Sequence, residues 1–394
     1  MKCGETMKKF SQWAKTSIIY IFPILALVLS LYAKETSQAA RNALYLCLDV
    51  VIPSLFPFFV LSRLTVPYLS GFSCPTFIKR LAERFFGLPY YTLITIILGY
   101  LSGYPTGAKL ARDMLDEGLI DSRQGSKMIA VANNCSPLFI IGTIGAGLYK
   151  SVRIGFFLLL IHWISGLISA FAMGHCFGKT DKPSPTFRLK SSAGKEVPGM
   201  SLPQLVPSAI EESAILCIKV TGYIVLFAVL SELLAQLGLF AFLGKIPEIF
   251  RAAGTPKSGL SEFISSFLRG IMEITSGSQA VTKIAGGSLT IKLSLISMIC
   301  GFAGFSVHTQ VMGIMKGSGA QYRVFLVGKL IHGLTAGLLT FAAMSSVPLS
   351  ISTSTVEVPL PANLSLVRLV TIGIIIFSLG IAPIRPVKSP AKNR

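Results

Sequence analysis

Apolar runs long enough to cross a hydrocarbon core of about 30 Å recur along the chain, and polar or helix-breaking residues interrupt several of them. In the first half they cover residues 17–33, 42–64, 128–148 and 154–177. The run at 42–64 holds Asp49 and a Pro53-Ser54-Leu55-Phe56-Pro57 break, and the run at 128–148 holds Asn133-Asn134-Cys135-Ser136-Pro137 near its middle. Two amides, a hydroxyl and a proline at that depth are costly, because freed backbone groups find no water in hydrocarbon. They are tolerated where they face protein or a cavity, which predicts a broken transmembrane helix of the kind that builds transporter sites. Residues 90–101 are apolar but only about a dozen long, too short to span. They end in Ser102-Gly103-Tyr104-Pro105-Thr106-Gly107, and an amphipathic stretch with Lys109 and Arg112 follows. The pattern predicts a re-entrant hairpin over 88–116 with the glycine-proline turn at its tip.

The second half echoes the first at an offset of about 170 residues, the mark of a duplication. Leu46-Cys47-Leu48 matches Leu216-Cys217-Ile218, and Leu61-Ser62-Arg63-Leu64 matches Leu230-Ser231-Glu232-Leu233 after a one-residue slip. The tip at Thr106-Gly107 matches Ser276-Gly277, and the break at 133–137 falls on 303–307. The expected fold is an all-α polytopic membrane protein of two inverted repeats with re-entrant helical hairpins and broken transmembrane helices, plus extra N- and C-terminal spans. Its expected segments are a cytoplasmic N-terminus and first span (1–41), a first repeat (42–178), a basic cytoplasmic linker (179–205), a second repeat (206–346), and an outside loop, last span and basic tail (347–394).

Charge orients these segments. Only 13% of residues are charged against 52% hydrophobic, which excludes a soluble globular domain. The net charge of +19 lies mostly in short segments between apolar runs, so membrane topology accounts for it and no nucleic-acid partner is expected. With the N-terminus inside and three crossings per repeat, the basic connections at Arg63–Arg84 and Lys109–Lys127, the linker and the tail all fall inside. The segment 347–363, without Lys or Arg, falls outside. A single crossing by 90–101 would place Lys109, Arg112, Arg123 and Lys127 outside, so the positive-inside rule selects the hairpin. An odd number of crossings then inverts the second repeat; Lys245, Arg251 and Lys257 run against the trend. Seven cysteines without a CxxC pair indicate neither zinc nor a disulfide framework. No HExxH, GxSxG or P-loop is present, so no enzyme is expected.

Inverted repeats with broken helices place a substrate site where the hairpin tips and the breaks converge. The first repeat offers Ser102, Gly103, Tyr104, Thr106, Lys109, Asn133, Asn134 and Ser136; the second offers Glu273, Thr275, Ser276, Ser278, Gly304, Ser306, His308 and Gln310. These types suit a small polar or anionic solute. Duller roles compete: span hydroxyls back-bond to their own helix, and glycines let helices approach. His162, His175 and His332 read as satisfied or interfacial histidines, whereas His308 shares the repeat position of the Asn133 break. Glu273 is a functional candidate because an unpaired carboxylate at the bilayer centre costs about 2.5–3.5 kcal/mol or more; Asp49 and Glu232 share that logic. No cofactor is implied. Sodium and a proton, the latter through Glu273 or His308, both stay open as coupling ion, and so does a homo-oligomer.

VIPSLFPFFVLSRL (51–64), GYLSGYPTGAKL (99–110), NNCSPLFIIGTIG (133–145) and GFAGFSVHTQ (301–310) resemble the YlbJ family of sporulation integral membrane proteins, whose members carry a nucleoside-recognition Gate domain. GFAGFS is also similar to the GFANFS segment of concentrative nucleoside transporters, a fold of inverted repeats with re-entrant hairpins. The resemblance implies a protein of the cell membrane or outer forespore membrane that moves dipicolinic acid, a small aromatic dianion, from mother cell toward forespore. A nucleoside or nucleobase permease and a non-transporting sporulation scaffold are the alternatives. Where the nucleoside transporters have an asparagine thought to contact the sugar, this chain has Gly304, which speaks against nucleoside recognition.

Overall fold

The computed structural model describes residues 19, 22–71, 74–177, 202–249 and 259–346. The expected linker up to residue 201 and the expected terminal segment 347–394 lie outside them. Among the described residues every regular element is a helix, and five are long and apolar enough to cross a membrane: Ala33–Thr65, Val152–Cys176, Leu205–Gln236, Leu289–Ile314 and Tyr322–Ser346. Their exposed faces carry large apolar side chains such as Phe156, Leu160, Ile218, Leu338 and Phe341, as helices in contact with lipid require.

A short α1 (Phe22–Leu31) leads through a turn at Tyr32 into α2 (Ala33–Thr65). The expected break at 53–57 is absent, because α2 runs through both prolines. Ahead of Pro53 the helix widens into a π-turn over Cys47–Val51, in which the Ile52 N–H bonds the Cys47 carbonyl five residues back. A wider turn relieves the clash a proline ring makes with the preceding turn.

α3 (Thr76–Phe86) is a short amphipathic helix ended by Gly87. The first hairpin follows: α4 (Thr92–Ser102), a turn at Gly103-Tyr104-Pro105, and α5 (Thr106–Asp116). Then α6 (Ser122–Ala132) starts on an Asp121/Gln124 capping box, whose reciprocal bonds satisfy two orphan N–H groups. After extended residues at Asn133 to Ser136 the chain resumes as α7 (Leu138–Leu148), wound as a π-helix, and α8 (Val152–Cys176) completes the half.

The second half has the same order of elements: long α9 (Leu202–Gln236), short α10 (Leu239–Ile249), a hairpin of α11 (Leu260–Met272) and α12 (Ile274–Lys283), an interrupted helix α13 (Leu289–Phe302) and α14 (Gly304–Ile314), and long α15 (Tyr322–Ser346). Two expected boundaries are corrected. The second tip lies at Glu273, with Ser276-Gly277 inside α12, because the Glu273 carboxylate caps that helix. The second break is confined to Ala303-Gly304, both at positive φ (77° and 61°), and Val307 is inside α14.

The core forms where α15 packs against α13, α8 and α6. The first hairpin is pressed onto the end of α6 so closely that a Cβ on Gly99 or Gly107 would lie 2.1 or 2.4 Å from the Ala132 carbonyl oxygen. Only a residue without a side chain lets backbones meet at that range. α2 and α9 pair with each other along one side of this core.

Candidate functional site

The break after α6 strands backbone groups, and side chains satisfy several of them. The Asn133 amide donates to the Ile129 carbonyl at 2.8 Å, and the Asn134 amide to the Val131 carbonyl at 3.0 Å. The other side of the Asn133 side chain accepts from the Ala108 N–H at 3.0 Å, so it also caps the first turn of α5. The Cys135 N–H donates to His162 Nε2 of α8 at 2.9 Å, and Lys329 Nζ of α15 donates to the Asn133 carbonyl. Asn133, Asn134, His162 and Lys329 are each at most 3% exposed. A buried polar group left unpaired costs several kcal/mol in hydrocarbon, so these four side chains are what makes the interruption tolerable. The His332 Nε2 donates to the His162 carbonyl at 3.0 Å, and the two rings lie against each other, tilted by 38°, with centroids 4.4 Å apart.

The second interruption is cheaper. One αL turn frees the Phe302 carbonyl, which accepts from His308 Nε2 at 2.9 Å; His308 Nδ1 then faces the Tyr322 hydroxyl at 3.0 Å. A carbonyl only accepts, so Nε2 carries a proton. At the second hairpin the Glu273 carboxylate accepts from the Thr275 and Ser276 N–H groups at 2.9 and 2.7 Å, capping α12 with a negative charge at its positive end.

Between the α2–α9 pair and the core lies a cavity of about 70 Å³, walled by Tyr104, Ser136, Glu273, Thr275, Ser306 and Gln310 together with apolar residues of α2 and α9. That is room for a handful of waters. Both hairpin tips, the first interruption and the start of α14 just past the second therefore contribute to one chamber. Two wider cavities flank it. One of about 440 Å³ shares Leu46, Val50, Ile224, Glu273 and Thr275 with the chamber and adds Asp49, Glu232, Arg269 and Gln279. The other, of about 530 Å³, shares Val220 and Gln310 and adds Lys109, Glu212, Lys219 and Tyr223. Two of their three cations are engaged: Arg269 pairs with Glu232, and Lys109 lies 2.6 Å from Asp113 and 3.6 Å from Glu212, while Lys219 is exposed.

Six of the sequence-derived candidates thus meet in the chamber, Ser276 faces the acidic vestibule, and Lys109 the basic one. The others stand elsewhere. Ser102 back-bonds to the Leu98 carbonyl at 2.7 Å, and Gly103 packs on Ser136. Asn133, Asn134 and His308 are spent on the interruptions, and Gly304 fits against the Gly270 carbonyl and Ile274. The Thr106 and Ser278 hydroxyls are buried with no partner among the described residues. His162 and His332 are satisfied histidines, as the sequence suggested, but sequence reasoning missed that they serve the first break, and it missed Lys329 and the Glu232–Arg269 pair as a unit. Two signals were available: Lys329 is a charge inside an apolar run, and His162 and His332 are 170 residues apart, the repeat offset.

These features define an all-α integral membrane protein in which two helical hairpins and two interrupted helices enclose a largely apolar chamber with a few polar side chains in its wall. Over 336 residues the chain is 28% identical to the sporulation integral membrane protein YlbJ of Bacillus subtilis, covering 82% of this chain and 80% of that protein. The chain is thus similar to a sporulation integral membrane protein, and its five long apolar helices are those of an integral membrane protein. No family model and no solved structure matches the chain, so the Gate domain and the likeness to concentrative nucleoside transporters rest on the motifs alone.

Proposed function

We propose that the chain is a sporulation transporter of a small aromatic anion, dipicolinic acid in first place, moved from mother cell toward forespore by alternating access around the chamber. The supporting observation is that the two hairpin tips and the two interrupted helices share one narrow cavity with a wider vestibule on either side. In this reading the repeats are inverted, and rocking of the α2–α9 pair against the hairpin core opens one vestibule and closes the other. The chamber itself offers hydroxyls and an amide. The charges that would balance two carboxylates lie in the vestibules, on Arg269 and on Lys109 and Lys219, where substrate would compete with the protein's own acids. Dipicolinate comes from the family resemblance; the sporulation context also comes from the relative's name.

The test is flux of dipicolinate in proteoliposomes of the full chain, with Ser136→Ala and Gln310→Ala as chamber variants. Wild type should carry it, and each variant should lower the rate about 10-fold or more, as for loss of a group that orients substrate. No flux in either direction by the wild type would remove the proposal. A nucleoside permease is the second reading, favoured by one observation: among the described residues Glu273 is the only carboxylate in the chamber wall, and no lysine, arginine or histidine lies there. Competition by nucleosides but not by dipicolinate would select it.

A further inference from the structure

We infer that the ammonium of Lys329 is a tethered cation, which fills from α15 the place at the carboxyl end of the α6 half-helix that a mobile coupling cation would otherwise take. Lys329 is 1% exposed. Its Nζ donates to the Asn133 carbonyl and stands 5.9 Å from the Phe325 ring centroid. Among the described residues it forms no ion pair with any carboxylate. A buried charge without a counter-ion is expensive unless fixed dipoles replace one. The carboxyl end of α6 supplies that dipole, equivalent to roughly half a negative charge.

Two neighbouring carbonyls of this end are already taken, and a third is enclosed. Ile129 and Val131 receive the Asn133 and Asn134 amides, and the Ala132 oxygen is walled in by Gly99 and Gly107. The Asn133 carbonyl is left for a cation, and a long side chain delivers one. In broken-helix transporters unwound carbonyls and half-helix carboxyl ends hold the coupling sodium ion or proton. Here that position is filled by the protein itself, so a metal cation has no place at this end of α6. The second interruption supplies the contrast: the Phe302 carbonyl is satisfied by a single imidazole N–H from its own helix pair, with no lysine.

The inference concerns the helix next to the proposed transport chamber, but it is read by stability without substrate, so the two fail separately. The purified full chain is unfolded thermally in choline, sodium, ammonium and methylammonium chloride at equal ionic strength. Wild type should unfold at one midpoint in all four. Lys329→Ala should lose about 5 °C or more in choline and recover about half of that loss in methylammonium, ammonium or sodium, which enter the vacated space. Lys329→Gln, which keeps a donor for the Asn133 carbonyl without the charge, should stay below wild type in choline. The inference is overturned if the glutamine variant matches wild type, if no cation restores the alanine variant, or if sodium stabilises wild type itself. Should the alanine variant not fold, the glutamine variant and the wild-type salt series decide.

Discussion

The two interrupted helices solve one problem at different expense. After α6 the chain runs extended from Asn133 to Ser136, and side chains from the break itself, from α8 and from α15 are recruited to satisfy it. After α13 a single αL turn at Ala303 suffices, with one imidazole for the one freed carbonyl. A longer interruption frees more backbone groups, and in hydrocarbon each must find a partner. The first break is therefore tied to three other elements, whereas the second is almost self-contained. Rigidity should be unequal too: movement at the first break disturbs bonds to α5, α8 and α15 together, and movement at the second disturbs mainly His308.

That contrast can be broken or sharpened by unfolding measurements on the full chain in detergent. The largest effect is expected from Gly107→Ala, whose added methyl would meet the Ala132 carbonyl and the Asn133 nitrogen at 2.4 and 2.8 Å; backbone cannot step aside, and the loss should be about 3 kcal/mol. Next comes Asn133→Ala, which orphans the Ala108 N–H and the Ile129 carbonyl and should lose about 2–3 kcal/mol. A loss below about 0.5 kcal/mol there would mean that the break is satisfied by something other than its own side chains. His162→Phe keeps a ring but orphans the Cys135 N–H, for about 1–3 kcal/mol. His308→Phe, its counterpart in the second half, should lose about 1–2 kcal/mol, and a greater loss than at His162 would reverse the ranking of the two breaks. The smallest effect has the opposite sign. Ala303 sits at φ 77°, and Ala303→Gly should gain up to about 1 kcal/mol by removing αL strain.

Much of the architecture was legible because membrane insertion writes itself in one dimension. Apolar length gave the spans; the short run at 90–101 and the amides at 133–134 gave the hairpin and the first break. The prolines of α2 misled, since a π-turn absorbs them and no propensity rule reports the turn. The second hairpin tip was misplaced by three residues because Ser276-Gly277 looks like a turn, while the turn is set by Glu273 capping the helix that contains them. The role of Asn133 shows the same limit: a polar residue in a span reads as a ligand, yet its bonds go to Ala108 and Ile129.

The sequence by itself determined that this is a polytopic helical membrane protein with two similar halves, each interrupted at a definable place, since hydropathy and helix-breaking chemistry are local properties. Tertiary structure alone decided which polar groups face the chamber and which merely repair the backbone. That choice depends on what lies across from each side chain: Ser136 and Ser306 line the chamber while their hydroxyls accept from the Phe139 N–H and the Gln310 amide, whereas Asn133 meets the start of α5 and Lys329 meets the end of α6. The spacing from Asn133 to Lys329, 196 residues, has no local signature. Only packing α15 against α6 brings the charge to the first break.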